Sequence, residues 1–234
     1  MFSVIFEVFP HRERFDDYLA LAKQLRPTLE EMDGFIDNER FESRSRPGWI
    51  LSHSTWRDEK SLVRWRTLAE HHEVQQRGRD EILADYHLRV GDVCADSDGP
   101  VHQQRYDATE VGIGTAVTLT ELTAAESANT PGSSDALSLV QAPTDPQLVV
   151  DHDVFDSIYN PGKVAVLLSW RSPTALADWT PAAPDGHSTL RHRVVRVVRD
   201  YGMFDRREAP QYYPDAQGHD TRHAEPIRAD RSRS

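Results

Sequence analysis

Between Leu62 and His72 the residues able to do chemistry fall at helical spacing. Leu62, Trp65, Ala69 and His72 are three, four and three positions apart, which sets an imidazole beside an indole on one face. Histidine titrates closest to neutral pH, so His72 could act as a general base, taking a phenolic proton from an aromatic molecule stacked on Trp65. A buried, hydrogen-bonded histidine beside a core tryptophan has the same spacing, and both readings stand. His71 points about 100° away, as a solvated residue or a further wall of the site.

Other candidates sit on extended segments. Ser52, Ser54 and Trp56 share a strand face with Ile50, and two small hydroxyl side chains there leave room and hydrogen bonds where a closed core would want bulk. With a 114-residue shift these serines align with Val166 and Leu168, which favours a pocket in the first half. Tyr86, with Trp56 and Trp65, would wall it. Glu7 and Glu121 alternate with apolar neighbours, so each is either an inward carboxylate of raised pKa or, as expected for either alone, an outward solvated one. His187 and Trp179 are the corresponding candidates of the second half.

The elements that must position these residues occur twice. Glu7, Phe41, Ser43, Pro47-Gly48, Trp56-Arg57 and Trp65 match the residues 114 positions on, and at 115 His72 meets His187 and Asp85-Tyr86 meets Asp200-Tyr201. Four of the five tryptophans form two pairs with the same spacing of nine, which marks a duplication. In the first copy the patterning predicts a strand over 2–9, a helix over 12–32 kinked or restarted at Pro27, strands over 35–43 and 49–56 joined by a Pro-Gly turn, a helix over about 58–83 and a strand over 86–93. The second copy keeps strands over 116–123, 149–158, 164–170 and about 201–206. Prolines and glycines shorten its helices.

The predicted fold class is therefore α+β, two tandem ferredoxin-like βαββαβ units. The boundaries are an N-terminal unit over 1–96, a linker over 97–113, a degenerate C-terminal unit over 114–209 and a disordered tail over 210–234, which is rich in Asp, Arg, His and Pro.

A net charge of −11 with scattered arginines argues against a nucleic-acid partner and for a small molecule. No run reaches the roughly 18 apolar residues of a membrane span, and the N-terminus lacks the basic opening of a signal peptide, so the expected location is cytoplasmic. The single cysteine, Cys94, excludes an internal disulfide and reads as a small apolar packer. Adjacent His71 and His72 point apart with no carboxylate cluster to complete a ligand set, so no metal is expected. Gly112-Ile113-Gly114 lacks the third glycine and the helix of a dinucleotide site.

The run Trp56-Arg57-Asp58-Glu59-Lys60-Ser61-Leu62-Val63-Arg64-Trp65, then Glu70-His71-His72 and the closing Asp85-Tyr86-His87-Leu88-Arg89-Val90, resembles the strand-to-helix signature of the antibiotic biosynthesis monooxygenase family. Single units of that family pair as a dimeric barrel, so the resemblance implies an intramolecular dimeric α+β barrel, which could dimerise further. The tandem length and layout look most like the angucycline ring-opening oxygenases of the jadomycin, gilvocarcin and kinamycin pathways. That likeness implies an oxygenase that hydroxylates or opens a phenolic polycyclic aromatic polyketide with dioxygen. Reduced flavin, FADH2 or FMNH2, would diffuse in from a partner flavin reductase. Two alternatives share the fold: a protein that sequesters an aromatic metabolite without turnover, and a haem-binding or haem-degrading protein. The latter is weakened because Gln75 stands near where that branch places its haem-ligating histidine.

Overall fold

The computed structural model describes residues 1–124, 133–176, 179–182 and 187–210. Eight strands carry it: β1 (Phe2–Pro10), β2 (Phe35–Ser43), β3 (Ile50–Trp56), β4 (Leu83–Asp96), β5 (Ala116–Ala124), β6 (Val149–Ser157), β7 (Lys163–Trp170) and β8 (His187–Gly202). All neighbours pair antiparallel, and the order β1-β3-β2-β6-β7-β5-β8-β4 closes into a barrel, which leaves no sheet edge unpaired. The units join where β2 meets β6 and β4 meets β8. The two α+β units expected from the repeat, closed into the intramolecular barrel that the family resemblance implies, are the fold.

Alternation along each strand explains why both faces are buried. On β1, Ser3, Ile5 and Glu7 point into the barrel while Phe2, Val4, Phe6 and Val8 face the helices. An apolar belt that includes Ile5, Phe41, Leu51, Leu119, Phe155 and Leu167 fills the barrel's waist. Charge caps both ends. At one end Glu7 accepts from Arg89 Nη2 and Arg46 Nη2, each at 2.6 Å, and Asp153 accepts from Arg46 Nε at 2.8 Å. At the other, Glu121 is paired with Arg193 and Lys163, and Lys163 also pairs with Glu39.

The outward, solvated reading of Glu7 and Glu121 is thus corrected: both point inward and are at most 7% exposed. The raised pKa of the inward reading is corrected as well. Burial pushes the Glu7 carboxyl up, but the Arg89 and Arg46 guanidinium groups outweigh it and hold it below the usual carboxylate range. Glu121 is held down to about 2 by Arg193, His53 and Lys163 against the same burial.

The repeat holds over three strands and fails on the fourth. Phe2 lies opposite Trp56 and Ala116 opposite Trp170, each 114 positions on. Phe2 also lies opposite Asp92 and Ala116 opposite Arg196, so β8 matches β4 at an offset of 104. The matches of His72 with His187 and Asp85-Tyr86 with Asp200-Tyr201 are therefore not structural equivalences, and the last strand is not 201–206 but His187–Gly202. The second unit loses those ten residues from its second helical layer, of which Pro173–Leu176 is the described helix.

In the first unit α1 (Phe15–Glu30) runs through Pro27 without a restart. The second helix starts as expected, with Asp58 Oδ1 accepting from the Ser61 N–H at 2.8 Å as an N-cap. It is not continuous to residue 83, however. Leu68 adopts an extended ψ of 130° and divides it into α2 (Glu59–Thr67) and α3 (Ala69–Arg77), which passes into a π-helical turn at Gly78–Ile82. Ser133–Leu139 forms α4, and the four-residue helix at 173–176 is α5. The tail from 211 on lies outside the described residues, among which no helix is long and apolar enough to cross a membrane.

Candidate functional site

Between the first unit's helices and the outer face of its strands lies a cavity of about 240 Å³. Its sheet wall is Val4 and Phe6 of β1, Asn38 and Arg40 of β2, Ser52 and Ser54 of β3, and Tyr86, Leu88 and Val90 of β4. Its roof is Ala22 and Leu25 of α1, Leu62 and Trp65 of α2, and His71 and Val74 of α3. Arg79 arrives on the π-helical turn, a geometry frequent at functional sites. Arg199, Tyr201, Arg206 and Pro210 come from the second unit.

The break at Leu68 exchanges the two histidines. An unbroken helix would have put His72 on Trp65's face, whereas the extended Leu68 resets the phase. His71 instead stacks on the Trp65 ring, 4.1 Å between centroids and 19° between planes, and lines the cavity. His72 is exposed and does not line it, so the placement behind its role as base is corrected. His71 Nδ1 lies 3.0 Å from the Trp65 carbonyl. A carbonyl can only accept, so Nδ1 carries the proton and the Nε2 lone pair faces the Gln75 side-chain amide nitrogen at 3.4 Å. Burial pulls the His71 pKa down to about 4, which leaves the ring neutral at physiological pH.

Trp56 is also corrected. It is wholly buried behind the cavity, stacked on Trp65 at 6.4 Å and edge-on to Phe35 at 5.5 Å, and it touches the site through its indole N–H, which donates to Ser54 Oγ at 3.0 Å. Ser52, Ser54, Trp65, His71 and Tyr86 all line the cavity. Glu7 faces the barrel interior instead. Trp179 belongs to the second unit's core, packed on Trp170 at 5.3 Å with its N–H donated to the Gln141 carbonyl at 2.8 Å. His187 opens β8, and its side chain lies outside the described ones.

Sequence reading missed the arginines and Asn38. Asn38 Nδ2 donates to the His53 carbonyl at 2.8 Å, and its Oδ1 accepts from Arg40 Nη1 at 2.9 Å. Both residues alternate with inward Glu39 and Phe41, a period-two signal that could have placed them on the helix side. Tyr86's hydroxyl accepts from Arg79 Nη1 at 3.2 Å and from Arg206. Nothing local in the sequence joins Arg206 to Tyr86, 120 positions apart. The arrangement can hold an apolar body against Phe6, Leu25 and Trp65, orient its oxygens at Ser52, Ser54 and the guanidinium groups, and take up a proton at His71 Nε2.

The chain resembles known proteins in sequence and in fold. Residues 1–77 match the family model for antibiotic biosynthesis monooxygenases. Over 224 residues, 92% of this chain and 100% of the relative, the chain is 43% identical to the jasmonate monooxygenase ABM of Pyricularia oryzae. An aldoxime dehydratase crystallised with butyraldoxime overlays 84% of this chain and 79% of its own at 11% identity and a TM-score of 0.52, a likeness of fold. A crystal structure titled antibiotic biosynthesis monooxygenase overlays 39% of this chain and 97% of its own at 18% identity, with a TM-score of 0.36.

Proposed function

This chain belongs to the antibiotic biosynthesis monooxygenase family and is a monooxygenase, and from that premise we propose that it oxygenates a compact, apolar substrate bearing one anionic oxygen, bound in the first unit's cavity. One observation carries the reading. Five of the six formally charged residues lining this largely apolar cavity are arginines (Arg40, Arg66, Arg79, Arg199 and Arg206), and the sixth, Glu59, is ion-paired with Arg105. Guanidinium groups on an apolar wall suit a carboxylate or phenolate whose remaining surface is hydrocarbon. Jasmonate, an apolar cyclopentanone carboxylate named as the substrate of the 43% identical relative, has that chemistry.

A second reading, a phenolic polycyclic polyketide of the angucycline type, is favoured by the Trp65–His71 stack, which offers a planar face. The volume of about 240 Å³ lies below the roughly 300–1,000 Å³ of common ligand sites and favours one or two rings over four.

A monooxygenase puts one atom of dioxygen into its substrate and reduces the other to water with two electrons. Reduced flavin from a reductase would supply them. A cavity of this volume argues against flavin and substrate occupying it together, so the flavin would deliver its two electrons from outside the cavity. In the proposed mechanism the arginines hold the anionic group and the apolar walls exclude water. Ser52 and Ser54 orient a second oxygen, and neutral His71 takes a proton at Nε2 from a phenolic or enolic position.

The test is to incubate the protein with jasmonate, and separately with dehydrorabelomycin, under ¹⁸O₂ with reduced flavin, and to follow product mass. A protein-dependent gain of one labelled oxygen from jasmonate is expected. Gain from the angucycline alone would move the assignment to the second reading, and gain from neither would refute both.

A further inference from the structure

Resting on the reading above, the geometry points to Arg40 of β2 as the residue that recognises the substrate's anionic oxygen, with Asn38 as the residue that positions it. The strand order β2-β3-β1-β4 makes the first unit's sheet wall a row, with Arg40 at one edge and Tyr86 at the other. Beyond that first edge lies a second cavity of about 240 Å³, between the end of α1, the start of β2 and Tyr159. Leu29, Asn38 and Arg40 line both spaces, so Arg40 stands where the two meet.

Hydrogen bonds fix Arg40 at one end and leave the other open. Asn38 Nδ2 donates to the His53 carbonyl at 2.8 Å, which turns Oδ1 toward Arg40, and Arg40 Nη1 donates to that oxygen at 2.9 Å. Nε is buried without a hydrogen-bond partner, whereas Nη2 makes no hydrogen bond among the described residues and is not buried, so it opens on the junction of the two cavities. The carboxylates of the second cavity are engaged elsewhere, Glu30 with Arg26 at 2.7 Å and Asp37 with Arg191 at 3.0 Å and Arg193 at 3.2 Å. A guanidinium held by one neutral acceptor and partly desolvated gains most from an anion at its remaining nitrogen.

The strand beside it adds further donors. Ser52 lies opposite Arg40 and Ser54 opposite Asn38 in the β2–β3 register. Ser54 Oγ accepts from the Trp56 N–H at 3.0 Å, and Ser52 Oγ faces Asn38 Nδ2 at 3.4 Å, so each hydroxyl keeps a proton to give. With the anionic oxygen at Arg40 and the second oxygen at the serines, the apolar body extends across β1 toward β4, beneath Trp65 and His71. Arg79 and Arg206, at the far edge, already donate to the Tyr86 hydroxyl, and Arg79 to the Met203 carbonyl as well.

The experiment is isothermal titration calorimetry with jasmonate and with methyl jasmonate, its neutral ester. The wild type is expected to bind the acid about tenfold or more tighter than the ester, the scale of a charge-assisted pair. Arg40→Gln should bring acid binding down to the ester's level and leave ester binding unchanged. Asn38→Ala, which frees the guanidinium, should fall between. A wild type that prefers the acid, beside an Arg40→Gln protein that keeps that preference, would overturn the role of Arg40 alone. Loss of the preference in Arg199→Gln instead would place the anion at the far edge of the wall and overturn it equally. A wild type that binds neither ligand, or both alike, would remove the anionic-substrate reading and this inference with it. Should Arg40→Gln lose both ligands through misfolding, Arg40→Lys decides, because a point charge cannot bond Asn38 and the anion as the planar fork does. A reduced preference for the acid then supports the assignment, and a full wild-type preference overturns it.

Discussion

On the outer face of β3, Ser52 and Ser54 stand where β7 carries Val166 and Leu168, and the two tryptophans that end these strands show how the difference is accommodated. Trp56 donates its N–H to Ser54 on its own strand, whereas Trp170 donates to Thr118 of β5 at 3.0 Å, the position that Val4 occupies in the first unit. Moving one hydroxyl to the neighbouring strand satisfies the buried indole and frees the β7 site for leucine. The second unit's layer then closes into a core of Val164, Val166, Leu168, Trp170, Ala136 and Val140. The first unit keeps a cavity at the same level. Inside the barrel one pair is retained, Glu7 with Arg89 and Glu121 with Arg193 in matching places at opposite ends, although the hydrogen-bonded Ser3 and His53 of the first unit stand where the second has Val117 and Leu167. The carboxylate–guanidinium pair of the shared interior is kept in both units, while the cavity under the helices is kept in the first.

That contrast can be broken at its strongest point first. Arg89→Met and Arg193→Met each leave a buried carboxylate with one remaining cation, Arg46 for Glu7 and Lys163 for Glu121, so each should lower unfolding free energy by up to about 3 kcal/mol in urea denaturation. A large loss in one variant beside a negligible one in the other would contradict the matched interior. Next, Leu168→Ala should cost about 2–5 kcal/mol of stability by opening a void in the second unit's layer, with kcat/KM unchanged. A fall in turnover without a fall in stability would place chemistry in the second unit.

The smallest effect is one of pH. Burial lowers His71 in the first unit and His192 in the second to about 4 each. The unfolded chain takes up these protons near pH 6.5, so the stability present above that pH falls as the solution is acidified from about 6.5 toward 4. His71→Gln and His192→Gln should each flatten the decline in thermal melts, with turnover lost only for His71→Gln. An unaltered slope in both would deny that the rings are buried and neutral.

Much of the scaffold was legible from the chain. Scarce residues repeated at 114 located three strands of each unit, and Ser52 and Ser54 announced space on the correct face. The closing strand was misplaced because an Asp-Tyr pair recurs by coincidence at 85 and 200, while the alternating run His192 to Val198 that forms β8 went unread. His71 and His72 were exchanged because periodicity assumes a continuous helix, and one extended residue at Leu68 resets the phase of all that follows. Arg79 and Arg206 were invisible, since a guanidinium group acquires its role only when the barrel brings 79, 86 and 206 together.

The most direct test of the claim that the first unit's cavity is the working site is to give it the second unit's solution. Val4→Thr/Ser54→Leu transfers the Trp56 acceptor to β1 and fills the cavity with leucine, as Thr118 and Leu168 do around Trp170. For the substrate that gains oxygen in the wild type, product formation should fall by about a hundredfold or more, the scale of a displaced substrate, while the thermal midpoint stays at or above that of the wild type. A folded variant that still forms product at the wild-type rate would show that the chemistry happens elsewhere.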